Sequence, residues 1–539
     1  MARSGRSSSR GSAARVDKLV VSHRGALKAK YGPRRGEVVD ALKRLIAADK
    51  ARGLVARVVY LDDAVALRKA KGKPAIDPAD ERAAKSAIDA LYRLHQPDYL
   101  LIVGAWDVVP HIALHNPMNA DADPDNDDDD EDVPSDLPYA CEAGFGRQPQ
   151  RFLGPTRVVG RLPDAPFATA PEALLRLIDS AAAHTSRPRS DYAECFALSA
   201  RVWVDSTELS LRKLFGANAP LHTSPASGPR WRRRELAPRV HFINCHGNTL
   251  DPNFLGEGPT DTYHLAHQSA RLDGRVSEGA VVAAECCYGA ELYDPADADG
   301  NPGICSTYLA QGAYGFFGST CIAYGPAEGN GQADLVCQYF VEAVLGGASL
   351  GRATLEARQR FIAQYSHHDP ADLKTLLQFL LLGDPSVHPV QAPAHALARS
   401  DTMAKARRTK LLQPGARAFR RERLARTGMN LARSIGAAVP ATLKTPPAVR
   451  ALLMDAARES GLQAPTLRTW RVEFPAGAAR EMPAGVAASR AQRSIHAVSG
   501  RRVATSASTD DVRAPRAVTA IIATLEGDRV VHVRRVHSR

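Results

Sequence analysis

The sequence predicts an α/β fold with a parallel sheet in two halves, followed by a basic α+β region. Three observations predict it. From Asp17 to Pro110, strand-length apolar runs alternate with amphipathic stretches, a β-α-β-α-β order that implies parallel strands joined by right-handed crossovers. A second set starts near Glu194 and holds two apolar runs, Val240-His-Phe-Ile-Asn-Cys-His-Gly247 and Ala280-Val-Val-Ala-Ala-Glu-Cys-Cys-Tyr-Gly289, each ending at a reactive side chain beside a glycine. After about Pro393 the composition turns Ala/Arg-rich.

Residues 1–16 are basic and Ser-rich with no apolar core, so they read as a disordered tail and not a secretory signal. Residues 17–190 form the first half. Its strands are expected at Asp17–Ser22, Leu54–Leu61 and Tyr99–Gly104, with a short one over Arg157–Pro163. Helices are expected over Gly36–Arg52, where Val38, Val39, Leu42, Leu45 and Ile46 share a side, over Asp77–Gln96 with Pro78 in its first turn, and over Pro171–Ala183. Residues 191–395 form the second half, with strands at Glu194–Val204, in the two runs above and at Ala313–Thr320. Its helices are Asp334–Leu345 and Leu350–Gln364, parted by Gly346-Gly347, and an apolar run over Leu376–Leu382 ends at Gly383-Asp-Pro-Ser386. Residues 396–539 form the basic region, helical to about 436 and again over Val449–Ser460. Strands follow at Thr466–Phe474, Ala517–Leu525 and Arg529–Val536, the last two a hairpin across Glu526-Gly-Asp.

With 539 residues and 44% hydrophobic content the chain can bury several cores, and no run approaches the roughly 18 apolar residues of a membrane helix. Eight cysteines are too sparse for a disulfide framework, so they read as buried thiols in a reducing, cytoplasmic compartment. There is no C-x-x-C pair to make a structural zinc site and no phosphate-binding or dinucleotide fingerprint, so no organic cofactor is implied. The net charge of +12 is uneven: residues 401–450 hold twelve Lys/Arg against Asp401 and Glu422, and residues 121–132 hold nine acids. The two blocks could meet each other or a partner. The basic block could hold nucleic acid, but Phe419 is its one aromatic, so a solvated or docking helical face is the blander reading. Asp121-Ala-Asp-Pro-Asp125 faintly resembles a calcium loop, without that loop's glycine and spaced glutamate. Calcium there or near Asp297 and Asp299 is set against a solvated acidic loop.

The two runs carry the chemistry. Parallel strands ending side by side would bring His246 next to Cys286 or Cys287 at the carboxyl edge of a sheet, where open α/β folds place their sites. An imidazole beside a thiol is enough for a cysteine nucleophile with a histidine base. His241, His264 and His267 read as structural or surface residues.

These residues also carry a resemblance. In order along about Asp17 to Val390 stand Tyr99-Leu-Leu-Ile-Val-Gly with Val-Val-Pro110, Ser135-Asp-Leu-Pro-Tyr139, Val159-Gly-Arg-Leu-Pro163, Cys245-His-Gly247, Glu285-Cys-Cys-Tyr-Gly289, Tyr308 to Ser319, and Leu381-Leu-Gly-Asp-Pro385. The chain resembles the gingipain-type branch of the caspase-like cysteine peptidases. The resemblance implies a caspase-like parallel-sheet sandwich and a dyad of His246 with the cysteine. It also implies that the Gly247 backbone N–H holds the oxyanion, a place for a residue whose backbone must come close. The family's Cys-x-Gly spacing selects Cys287 through Gly289, and its Cys-x-x-Gly spacing selects Cys286; Cys287 is favoured. Strand alternation would put Glu285 on the face of Cys287, as a substrate-binding carboxylate that prefers Arg or Lys. The expected activity is a cysteine endopeptidase in regulated intracellular proteolysis on protein or peptide substrates, without a membrane partner. The alternative is an inactive binding protein on the same fold, its basic region holding nucleic acid or an acidic partner.

Overall fold

The structure is a computed structural model that describes residues 15–119, 128–258, 262–391, 414–475, 493–502, 513–515 and 517–539. Its centre is a ten-stranded sheet. In spatial order the strands are Ala56–Tyr60, Lys18–Ser22, Tyr99–Val103, Val159–Leu162, Phe379–Gly383, Gly315–Ser319, Val281–Ala284, Val240–Asn244, Cys195–Ala200 and His222–Ser224. Neighbours run parallel everywhere except at one seam, where Phe379–Gly383 meets Gly315–Ser319 antiparallel. The sheet is therefore two parallel halves, as the alternating pattern predicts, with a late strand crossing back to complete the first. Lys18–Ser22, Val240–Asn244, Val281–Ala284 and Gly315–Ser319 are buried at every position, so both faces are covered, which is why they read as unbroken apolar runs. The fold class is α/β, a parallel-dominated sheet in two halves, with an α+β C-terminal region.

Most expected elements are present with shifted ends. The helix expected from Asp77 begins at Glu81, because Asp80 takes the N-cap and accepts from the Ala83 N–H at 2.9 Å. The apolar run at 376–382 is split: the helix Pro370–Gln378 ends and the strand Phe379–Gly383 begins inside it. The basic helix is Pro414–Ser434, and its expected beginning lies outside the described residues. It docks through Leu424 and Leu431, both buried, and through Gly428, where a β-carbon would overlap the Pro155 carbonyl oxygen. No helix among the described residues is long and apolar enough to cross a membrane.

The C-terminal region is bound into the second half. Its strands Gly436–Pro440, Leu462–Glu473, Arg493–Arg502, Val518–Glu526 and Arg529–Ser538 belong to a seven-stranded sheet. Both edges of that sheet come from the second half: Tyr324–Pro326 pairs with Arg529–Ser538, and His367–His368 pairs with Gly436–Pro440. The strand Arg493–Arg502 has no counterpart among the expected elements.

The acidic run corrects one expectation. Among its described acids, Asp128 and Asp130 are drawn into a buried cluster and are not solvated, while Glu131 is exposed. The Lys374 ammonium, fully buried, donates to both Asp128 oxygens at 2.6 Å and to Asp130 at 2.8 Å. The Tyr324 and Tyr288 hydroxyls close the cluster at 2.7 and 2.8 Å. In the basic helix, Arg421 pairs with Asp98 at 3.4 Å.

Candidate active site

The two motif strands are neighbours, paired parallel with Val281 opposite Val240 and Ala284 opposite Ile243. Their carboxyl ends therefore deliver Cys245-His-Gly247 and Glu285-Cys-Cys287 to one edge. His246 and Gly247 start a small antiparallel sheet with Asn253–Glu257. His246 stands opposite Leu255, so Glu257, two residues on, shares its face. His246 Nε2 and Glu257 Oε2 lie 2.6 Å apart, both groups buried. A carboxylate on one ring nitrogen fixes the imidazole's orientation and leaves Nδ1 for other work. Nδ1 has no hydrogen-bond partner among the described residues. Burial pulls the His246 pKa down, and Glu257 opposes that shift.

The strand before the cysteines ends at Ala284, and the chain turns at once. Gly289 N–H donates to the Cys286 carbonyl at 3.1 Å, and Tyr288 has φ of 54°, a left-handed conformation rare for an aromatic residue. Alternation therefore stops before Glu285, which corrects the expectation that Glu285 and Cys287 share a strand face. Cys286 points into the core, its Sγ 3.8 Å from the Ile243 carbonyl, and burial raises its thiol far above the usual range. Cys287 lies elsewhere. Its Sγ accepts from the Ala323 N–H at 3.2 Å, and burial pushes its thiol up to about 12. No hydrogen bond joins His246 to either cysteine. What joins the two motifs is Gly247: a β-carbon there would overlap the Cys287 carbonyl oxygen. Only glycine lets the backbone after the histidine lie against the cysteine turn.

One residue spans the site. Arg539 is fully buried and lies against the cysteine turn, with Trp203 between it and His246. Its N–H donates to the Ala323 carbonyl at 2.9 Å, and its carbonyl oxygen accepts from the Cys287 N–H at 3.0 Å. Its guanidinium lies 4.6 Å from the centre of the Trp203 ring, and Nη2 donates to both Asp334 oxygens at 3.0 and 3.1 Å. Trp203 also packs on the His246 ring, at 4.4 Å between centroids. Glu285 sits behind Asp334. Its carboxyl is raised well above the usual range, by burial first and then by the Asp334 carboxylate, with Arg539 opposing. That direction favours the uncharged acid at Glu285, while the Asp334 carboxyl is the one that meets the guanidinium. Glu285 thus lines the arginine pocket one layer back.

Glu257, Asp334, Trp203 and Arg539 carry no motif in the sequence. Glu257 has a faint signal, an acid closing the short strand Asn253–Glu257 just after the histidine. Asp334 has none, since it falls in the first turn of the helix Gln332–Leu345, where an acid is expected for capping alone. His241 and His267 are structural, as expected: both are buried and share the Tyr308 hydroxyl at 2.8 Å each. No group of three or more His, Cys, Asp or Glu among the described residues is arranged to hold a metal ion.

No family model matches the chain, and no curated protein matches it. Among solved structures, one described as "Structure of Protease" is similar over 98% of this chain and 98% of its own, at 12% identity and a TM-score of 0.45.

Proposed function

We propose that this chain is a cysteine endopeptidase that cleaves protein or peptide chains after arginine or lysine, in regulated proteolysis in the cytoplasm. The observation that carries the reading is the path of one arginine: its carbonyl oxygen is on the Cys287 N–H while its guanidinium is on Asp334. A substrate residue in that position has its scissile carbonyl beside Cys287 and its side chain in a pocket of matching charge. Cys287 is favoured over Cys286 as nucleophile, because the Cys286 thiol faces the Ile243 carbonyl inside the core.

The chemistry follows from the residues. His246, oriented by Glu257, takes the thiol proton, and the sulfur attacks the carbonyl carbon. The oxyanion forms where the Cys287 N–H already holds a carbonyl oxygen, and the Gly247 N–H is the second donor in this reading. The C–N bond breaks, and the imidazolium gives its proton to the leaving amine. Water then attacks the thioester with His246 as base. The C–S bond breaks, the acid product leaves and the thiol is restored.

The alternative, an inactive binding protein, draws on a specific observation: Cys287 is 3% exposed and its thiol is pushed up to about 12. Release of fluorophore from Arg-, Lys- and Asp-ending peptide amides separates the two. Cleavage after Arg or Lys that is lost in Cys287→Ala and His246→Ala and kept in Cys286→Ala supports the peptidase. Turnover that survives Cys287→Ala rules out its nucleophile.

A further inference from the structure

The residue that fills the pocket belongs to the chain itself, and it arrives on a strand. Arg529–Ser538 runs antiparallel to Tyr324–Pro326, with Ser538 opposite Tyr324, His537 opposite Gly325 and Val536 opposite Pro326. Ala327 N–H extends the ladder to the Arg535 carbonyl at 3.0 Å. This is strand addition to a short edge next to a reactive centre, the way extended peptides are bound: main-chain bonds give affinity and a side-chain pocket gives choice. The pocket is shaped for that side chain. A β-carbon at Gly325 would overlap the Arg539 guanidinium.

Other parts of the C-terminal region touch the same machinery. Arg502 pairs with Glu257, the carboxylate that holds His246, at 3.1 Å. The Arg513 carbonyl accepts from Asn248, two residues after His246, at 3.0 Å. The incoming strand is clamped further back, where Arg534 pairs with Asp369 and, at 2.9 Å, with Asp372. With Arg539 seated, His246, Glu285 and Cys286 are fully buried and Cys287 nearly so.

We propose that the strand Arg529–Ser538 with Arg539 is a built-in occupant of the substrate channel, which shuts the site by presenting an arginine in the place of a substrate's. The inference rests on the peptidase reading for the word substrate, while the occupancy stands on contacts alone. The latch is reversible, because nothing covalent joins Arg539 to Cys287. Opening requires the guanidinium to leave Asp334 and the ladder along Tyr324–Pro326 to part. An extended peptide ending in arginine competes for the same place, so an abundant substrate or a partner that draws off the strand releases the enzyme.

The test is alkylation of Cys287 by iodoacetamide in the full chain, mapped by mass spectrometry, alongside hydrolysis of an Arg-ending peptide amide. Arg539→Ala removes the anchor. Gly325→Ala expels it from the other side of the pocket without altering it, and carries the test if Arg539→Ala fails to fold. Both should alkylate about tenfold faster or more than wild type, since the open fraction sets the rate. The free heptapeptide Val-Arg-Arg-Val-His-Ser-Arg, which copies residues 533–539, should restore protection to Arg539→Ala, and the same peptide ending in Glu should not. Faster alkylation with no hydrolysis by any variant supports the latch and removes the peptidase reading. Unchanged alkylation in both variants, folded by circular dichroism, overturns the latch. In that case hydrolysis of the Arg-ending peptide by wild type keeps the peptidase.

Discussion

Asp334 holds the Arg539 guanidinium and Glu285 lies behind it, within reach of both charges, so removing the two should not be additive. Asp334 contacts Arg539 directly, and Glu285 is kept uncharged by burial and then by Asp334. Asp334→Asn removes the like charge, which allows Glu285 to ionise and take over the guanidinium. A buried cation left without a partner costs about 3–5 kcal/mol. With Glu285 stepping in, Asp334→Asn alone should cost about 1–2 kcal/mol, and Glu285→Gln, which replaces an uncharged group by one of the same shape, less than about 1 kcal/mol. The double variant should cost the full amount, about 3–5 kcal/mol, leaving a coupling of about 1–3 kcal/mol. Hydrogen exchange at the amides of Val536 to Arg539 reads this locally, because those amides are freed only when the strand parts from its neighbours. At about 1.4 kcal/mol per tenfold, Asp334→Asn should speed exchange about 5- to 30-fold and the double variant about 150-fold or more. Single effects that simply sum to the double, within about 0.5 kcal/mol, would refute the sharing of charge between the two carboxyls.

Other expectations concern the base, the pH response and the two buried networks. Glu257→Gln should lower kcat/KM on Arg-ending peptides by about 100-fold or more, with KM nearly unchanged, because it loosens the base and not the pocket. Glu285 is protonated in the fold above the model-peptide value of 4.5 and ionised in the unfolded chain there, so its contribution to stability is present below that pH and is lost as pH rises. Urea denaturation should therefore show wild type weakening relative to Glu285→Gln as pH rises from about 5, and parallel curves would contradict this. Lys374→Met should destabilise by about 3–5 kcal/mol, since Asp128 and Asp130 are left facing each other without their cation. Tyr308→Phe should cost about 1–3 kcal/mol in the same measurement, as it strips a buried partner from His241 and His267.

What could be read from the sequence follows from how each signal is generated. The strands Val240–Asn244 and Val281–Ala284 were legible because a strand buried on both faces shows as a continuous apolar run, and their adjacency follows from the crossover rule. That His246 and the Cys286-Cys287 pair arrive at one sheet edge is legible for the same reason, while how their side chains stand to each other is not. Glu285 was placed by extending strand alternation past Ala284, and the turn at Tyr288 ends that extension. Asp334 and Arg539 meet across 205 residues of sequence, with no period or motif between them to announce the contact. In the basic tail the helices and the last hairpin are legible, and its charge is plain, but the carboxylates that its arginines meet are not. Arg502, Arg534 and Arg539 face carboxylates of the second half, a matching that only the folded chain displays. Arg493–Arg502 escaped notice because its apolar positions are few and its ends are arginines.

The antiparallel seam sets an order of assembly. Val159–Leu162 has Tyr99–Val103 on one side and Phe379–Gly383 on the other, so the first parallel half gains its last strand only when residue 383 has been made. During synthesis the nascent first half waits with an open β edge while some two hundred further residues emerge, an interval in which that edge is open to mispairing. In the finished protein the late strand Phe379–Gly383 turns into a staple through its parallel pairing with Val159–Leu162: a cut in the connection near residue 190 would leave both fragments hydrogen-bonded into one sheet, and the nicked molecule should sediment as a single particle.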